Sequence, residues 1–392
     1  MREHWTLDPR VTFLNHGAFG ACPKPVLEAA SRFRAELERE PVRFFEQIYE
    51  VELDRARVEV ARFAGARPED LVFVPNTTTA VNAVLGSIRL EPDDVVLTTD
   101  HAYNACKNAV EFAARRAGAR VSVARIPLPV ADPDEVVERI LAAATGNVKI
   151  ALVDHVTSQT GLVFPIERIV VALKERGIET LVDGAHAPGM VPLRVEALGA
   201  AYYAGNFHKW LCAPKGAAML WARRDRQEGL HPTTISHGYT STRARARFLE
   251  EFDWTGSADP SPYLAVPEAI RFLGGLLPGG LAAVYDRNRK LALFGRRHLS
   301  EMLGAAPLAP ESMIGSLAAV PLPDATPGAS ALPQTEPLHR ALCDDHAVEV
   351  PVFNWPAPPK RLLRISAHLY NTERDYETLS QALEVALRAE RG

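Results

Sequence analysis

"GNFHKWLCAPKG", residues 205–216, sets Lys209 between a histidine and a tryptophan in a run that stays mostly small and apolar until Lys215. An ammonium group is strongly hydrated and is almost never fully buried without a partner. Either Lys209 reaches the surface along its own methylenes, or the fold neutralises it. Capture of the amine by an aldehyde would do that, and apolar neighbours would assist by depressing its pKa.

Working outward, the residues before Lys209 form one of seven short runs rich in Val, Ile, Leu and aromatics. These are "DLVFVP" (70–75), "DVVLTT" (94–99), "VSVARIPL" (121–128), "VKIALVDHV" (148–156), "ETLVDGA" (179–185), "AAYYAGN" (200–206) and "GAAMLWA" (216–222). They are nearly continuous rather than alternating, as strands buried on both faces are. Helical patterns fall between them at 77–88, 104–118, 133–144 and 165–177. This alternation predicts an α/β fold whose seven-stranded, mainly parallel sheet lies between helices. Residues 25–64 read as helix, with a second amphipathic stretch from Val42 to Phe63. The glycine pairs and proline of "LGGLLPGGLAAV" (273–284) mark a joint, followed by a long Arg-rich helix and a smaller α/β unit. There the segment 321–336, rich in Pro, Ala and Ser, is expected to be a mobile loop. A strand over "RLLRISAHLY" and a helix over 372–390 close the chain.

The 392 residues are 47% hydrophobic and 23% charged, ordinary values for a globular protein that needs no disulfide staples. A net charge of −4 provides no global field for nucleic acid or membrane. No run of about 18 apolar residues suggests a membrane span, and "MREHWTLDPR" lacks the apolar core of a secretory signal, so a cytoplasmic location is expected. Cys22, Cys106, Cys212 and Cys343 are scattered without a C-x-x-C, which argues against a metal site.

In an open parallel sheet, ligands bind at the carboxyl ends of the strands. Five strand ends here carry polar groups: Asn76-Thr77-Thr78-Thr79, Asp100-His101-Ala102-Tyr103-Asn104, Thr157-Ser158, Asp183-Gly184-Ala185-His186, and Asn206-Phe207-His208-Lys209. Singly, each has an ordinary reading as cap, turn or rim residue. Together they describe one polar crevice. A buried Asp183 would hold a heterocyclic ring nitrogen protonated, and the ring would then draw electrons. Three successive threonines exceed what capping needs and suit a phosphate at a helix N-terminus. No G-x-G-x-x-G or Walker motif is present. His208 offers the phosphate a further donor. His101 and Tyr103 each offer a flat ring for stacking. His186 suits a ring hydroxyl.

With these residues in place, the chain resembles the fold-type I enzymes that use pyridoxal 5'-phosphate. Within them it resembles the class V aminotransferase superfamily, in its isopenicillin N epimerase-like branch. The likeness is carried over the whole chain by "LNHGAFGACP", "NTTTAVN", "DHAYNA", "DHVTSQTG", "DGAHAPG", "GNFHKWLCAPKG", "WTGSADPS" and "RISAHLYNTE". It implies an N-terminal arm (1–20) packing near the active site, a large cofactor-binding domain (21–280) and a small C-terminal domain (281–392). It implies that Lys209 forms the Schiff base, that Asp183 pairs with the pyridine nitrogen, and that His186 stands near the ring hydroxyl. Thr77, Thr78 and His208 are implied to bind phosphate, Ser158 to lie near the ring oxygen, and either His101 or Tyr103 to stack on the ring. Ser257 is implied to reach the phosphate of an opposite subunit in a homodimer. Arg364 is implied to grip the α-carboxylate of an amino acid substrate, and a planar guanidinium does so bidentately.

The reaction is less determined. Epimerisation at the α-carbon is the leading expectation. It needs a second acid on the face opposite Lys209, for which Tyr103, His101, His16 or a water are candidates. His16 is also a candidate substrate contact. Elimination by a lyase needs only Lys209, and transamination and decarboxylation are also open. A persulfide-forming desulfurase needs a cysteine on the loop 321–338, which has none, whereas Cys343 reads as part of a helix. A pseudoenzyme retaining the fold would have no use for the set Lys209, Asp183 and Arg364. Arg243, Arg245 and Arg247 read as a solvated basic loop, with contact to an acidic substrate as the alternative.

Overall fold

The computed structural model describes residues 1–325 and 336–391. In chain order the strands are β1 (Thr12–Phe13), β2 (Leu71–Val74), β3 (Asp94–Thr99), β4 (Arg120–Ala124), β5 (Asn147–Asp154), β6 (Glu179–Asp183), β7 (Tyr202–Asn206), β8 (Ala218–Ala222), β9 (Leu317–Leu322), β10 (Val348–Glu349), β11 (Val352–Asn354) and β12 (Arg361–Ser366). Seven of them form one sheet in the order β2-β8-β7-β6-β5-β3-β4. These are the seven apolar runs of the sequence. Every residue of β2, β3, β7 and β8 is buried, as is every residue of β6 after Glu179, which explains their lack of alternation.

All pairings are parallel except those of β8, which runs antiparallel to both β2 and β7. These two reversals leave β2 pointing the same way as β7. The carboxyl ends of β2, β3, β5, β6 and β7 therefore lie along one edge, and the five polar segments meet there.

A second sheet, β11-β12-β9, is antiparallel and carries Arg364 on its central strand. The helix Gly280–Leu303 packs against β9 and against the last helix, Glu373–Arg391. β1 pairs in parallel with β10 and so ties the N-terminal segment to the end that bears Arg364. The helical expectation for 25–64 is interrupted. Lys24–Arg39 ends before Pro41, whose missing N–H cannot continue the ladder, and Tyr49–Ala64 follows after a π-turn. Most of the segment expected to be a mobile loop, 326–335, lies outside the described residues. Among the described residues no helix is long and apolar enough to cross a membrane.

Candidate active site

Asp183 ends β6 and is 3% exposed. Its Oδ1 accepts from the Ala185 amide (3.0 Å) and its Oδ2 from the Cys106 thiol (3.2 Å). Burial pushes its carboxyl above the ordinary range, while the two donors and the Lys209 charge draw it back. Asp154, at the end of β5, is the in-register partner of Asp183 and is also buried. Sequence reading did not single out Asp154. The available signal was a charged residue closing the apolar run "VKIALVD".

Lys209 follows β7 and turns back over this edge. Its Nζ stands 3.0 Å from Nε2 of His186, not in bulk water. Burial, then the Arg364 charge, push its pKa down to about 8, against the pull of Asp183. His186 receives the Trp210 indole N–H at Nδ1 (3.2 Å), and burial holds the ring neutral. The lysine is supported from behind by the N-terminal arm. Gly20 lies so close to the main chain of His208 that a Cβ would sit 2.0 Å from the His208 carbonyl oxygen, and its φ is +71°. Only glycine fits there.

The helix Thr77–Ser87 opens directly after β2. Asn76 caps it through the Thr79 amide (2.9 Å), a bond worth about 1 kcal/mol. The Thr77 amide donates to Asn206 Oδ1 (2.9 Å), which pins the helix start to the end of β7. Asn206 therefore positions the cradle. The Thr77 hydroxyl is buried and has no partner, and Thr78 is its half-buried neighbour. His208 donates Nδ1–H to the Ala217 carbonyl (3.1 Å), and burial pushes its pKa down to about 4. Its other nitrogen becomes a donor only when an anion restores its charge.

Arg364 is 2% exposed. Its Nη1 donates to the Ser158 carbonyl (2.6 Å), its Nη2 to Asn15 Oδ1 (3.3 Å), and its Nε is buried without a partner. Burial pushes its pKa down to about 10. Ser158 thus meets the arginine through its main chain. Asn15 is a contact that sequence reading missed, since nothing in "LNHG" signals a partner 349 positions away.

His101 and His16 are both buried, with both ring nitrogens hydrogen-bonded. His101 is 1% exposed, donates Nε2–H to the Ile126 carbonyl and accepts at Nδ1 from Thr160 (2.8 Å each), with its ring edge-on to Trp355. His16 is fully buried beneath Lys209, donates Nε2–H to the Lys209 carbonyl (3.0 Å) and accepts at Nδ1 from the Tyr370 hydroxyl (2.7 Å). In both, the two ring nitrogens are satisfied inside the core, which leaves neither free to carry a proton to substrate. Tyr103, by contrast, is 47% exposed just before the helix Asn104–Ala117, and its hydroxyl is within electrostatic reach of Arg364. Ser257 lies in an exposed turn.

Arg243 and Arg245 are held by Glu50, Asp54 and Asp253, and Arg247 by Glu251, so the basic run is a structural ion-pair network. Cys343 lies in the helix Pro337–Asp344 and donates to Glu349 (3.1 Å), with its thiol pushed up to about 12. The other three cysteines are buried. None is a candidate persulfide carrier.

A buried carboxylate, a desolvated lysine and an unpartnered hydroxyl at a helix start lie along one edge of the mainly parallel sheet, and Arg364, from the antiparallel sheet, reaches that edge at Ser158. The residues fit pyridoxal phosphate: Thr77, Thr78 and His208 for its phosphate, Asp183 for its ring nitrogen, Lys209 for its aldehyde. This is the site of a fold-type I pyridoxal-phosphate enzyme. The family model "Aminotransferase class-V" matches residues 12–379. The chain is 38% identical to an isopenicillin N epimerase from Amycolatopsis lactamdurans, with 98% of this chain and 97% of that protein covered. It is 30% identical to a probable chloroplastic L-cysteine desulfhydrase from Arabidopsis thaliana, with 97% and 84% covered. A solved structure of a C-DES variant, with glycine covalently linked to its pyridoxal phosphate, superposes with a TM-score of 0.82 at 19% identity, covering 98% of each chain. That likeness concerns the fold. The chain belongs to the aminotransferase class-V family and is a pyridoxal-phosphate-dependent enzyme.

Proposed function

We propose that the protein is an amino acid epimerase of the isopenicillin N epimerase kind, inverting an α-carbon with Lys209 on one face and Tyr103 on the other. One observation carries this reading. Of the side chains weighed as the second acid, His16 and His101 have both ring nitrogens committed inside the core, while the Tyr103 ring is exposed and electrostatically coupled to Arg364. The 38% identity to an epimerase over nearly the full chain supports it independently.

When bound, pyridoxal phosphate supplies the electron sink that acidifies the substrate Cα–H. The chain's own residues do the rest. Arg364 holds the α-carboxylate through a guanidinium already oriented by Ser158 and Asn15. Lys209, whose pKa burial pushes down to about 8, takes or returns the α-proton at Nζ. The Tyr103 hydroxyl delivers or removes the proton on the opposite face. Asp183 would pair with the cofactor's ring nitrogen and favour its protonation. The substrate is an amino acid, and the exposed turn bearing Ser257 is proposed to complete a second copy's phosphate site in a homodimer.

Incubation of the loaded enzyme with L- and D-amino acids in D₂O tests the reading. Deuterium at Cα with loss of optical purity is the expected result. Release of sulfide, pyruvate or ammonia with retained configuration would replace it with a C–S or β-elimination lyase, the activity named for the Arabidopsis relative.

A further inference from the structure

The ring of His186 lies between two nitrogens, Nε1 of Trp210 and Nζ of Lys209, and the order of the three fixes where the proton sits. We propose that Trp210 is a positioning residue that locks His186 as the Nε2–H tautomer and thereby favours the neutral amine of Lys209 over its ammonium.

An indole N–H donates and cannot accept. At 3.2 Å from Nδ1 it requires a lone pair there. A neutral imidazole carries a single N–H, so that hydrogen is on Nε2. Nε2 is 3.0 Å from Lys209 Nζ. An ammonium has three donors and no acceptor, so it would meet the Nε2–H donor to donor. The contact is satisfied only when Nζ holds a lone pair. The opposite arrangement, an ammonium donating to Nε2, needs the hydrogen on Nδ1, against the indole.

The indole cannot easily turn away. Trp210 is 0% exposed, packs on His16 at 5.0 Å between centroids, and lies 27° from the plane of His368. His16 and His368 are themselves stacked at 4.1 Å. On the other side Gly189, at φ +88°, admits the Trp210–Leu211 peptide where a Cβ would meet it at 2.3 Å. The charged and titratable groups around the pair are Arg364, Asp183, Asp154, Cys106, His208 and His16. Among them Arg364 opposes protonation of Lys209 while Asp183 favours it, so the direct bond from His186 has a balance to tip.

The inference rests on Lys209 being the reactive amine and not on which reaction follows. It is tested on the full-length, cofactor-free protein labelled with ¹⁵N-histidine. The wild type is expected to give His186 as the Nε2–H tautomer through the neutral pH range. In Trp210→Phe the tautomer is expected to move toward Nδ1–H. The pH midpoint for chemical modification of Lys209 is expected to rise by about one pH unit. Benzothienylalanine at position 210 keeps the bicyclic shape and removes only the N–H, so it decides the question where Trp210→Phe fails to fold. An unchanged tautomer and an unchanged midpoint on loss of the N–H would overturn the inference, whatever reaction the loaded enzyme performs.

Discussion

Asp154 and Asp183 stand side by side at the ends of two paired parallel strands, and both are buried. Two carboxylates so placed resist ionising together. Burial and the Asp183 charge hold the Asp154 carboxyl well above the ordinary range, and its Oδ2 has no partner.

That relationship has a sign in stability. Above the ordinary carboxylate pKa the unfolded chain releases the Asp154 proton and the folded chain keeps it. Stability of the cofactor-free protein therefore falls as pH rises, until the folded group also ionises. Asp154→Asn removes this dependence. Near the ordinary carboxylate pKa the variant should match the wild type. At higher pH it should exceed it by up to ~1.4 kcal/mol per pH unit. Urea unfolding across a pH series measures this directly, and parallel curves would contradict it.

Capture of the cofactor should follow the state of Lys209. Only the neutral amine attacks an aldehyde. With the lysine pushed down to about 8, uptake of pyridoxal phosphate should level off above that pH. Below it, uptake should slow about tenfold per unit. Stopped-flow absorbance of the covalently attached cofactor reads the rate. Lys209→Ala should show no such attachment and lose about 1,000-fold or more in Cα–H exchange.

Arg364 should not tolerate lysine. The guanidinium reaches Ser158 and Asn15 at once, and an ammonium cannot reproduce that planar fork. Arg364→Lys is expected to lower kcat/KM about 10- to 100-fold. Asn15→Ala, which frees Nη2, should cost less and act mainly on KM. Steady-state kinetics on any turned-over amino acid separates the two.

Much of this was legible in the chain. The seven strands announced themselves because burial on both faces leaves continuous apolar runs. Lys209 and Asp183 were legible because each breaks such a run with a charge that needs an explanation. The reversed direction of β8 was not, since apolar patterning carries no polarity of the strand. Asn15 acquires meaning only when β1 joins β10 and brings the N-terminal arm to Arg364. Asp154 acquires it only from the register of β5 with β6. The buried hydrogen bonds of His16 and His101 were not legible either. A histidine beside a catalytic motif looks the same in sequence whether its ring faces substrate or a backbone carbonyl. Trp210 was read only as an apolar neighbour of Lys209, because its single polar atom is aimed at His186 by the turn.

The two-faced transfer of the α-proton is the claim on which the functional account stands, and Tyr103→Phe tests it most directly. This variant keeps the ring and deletes the hydroxyl. In D₂O it should still exchange the α-hydrogen on the Lys209 face while inversion falls about 100- to 10,000-fold. Inversion at the wild-type rate in Tyr103→Phe, with deuterium entering both enantiomers equally, would contradict the account.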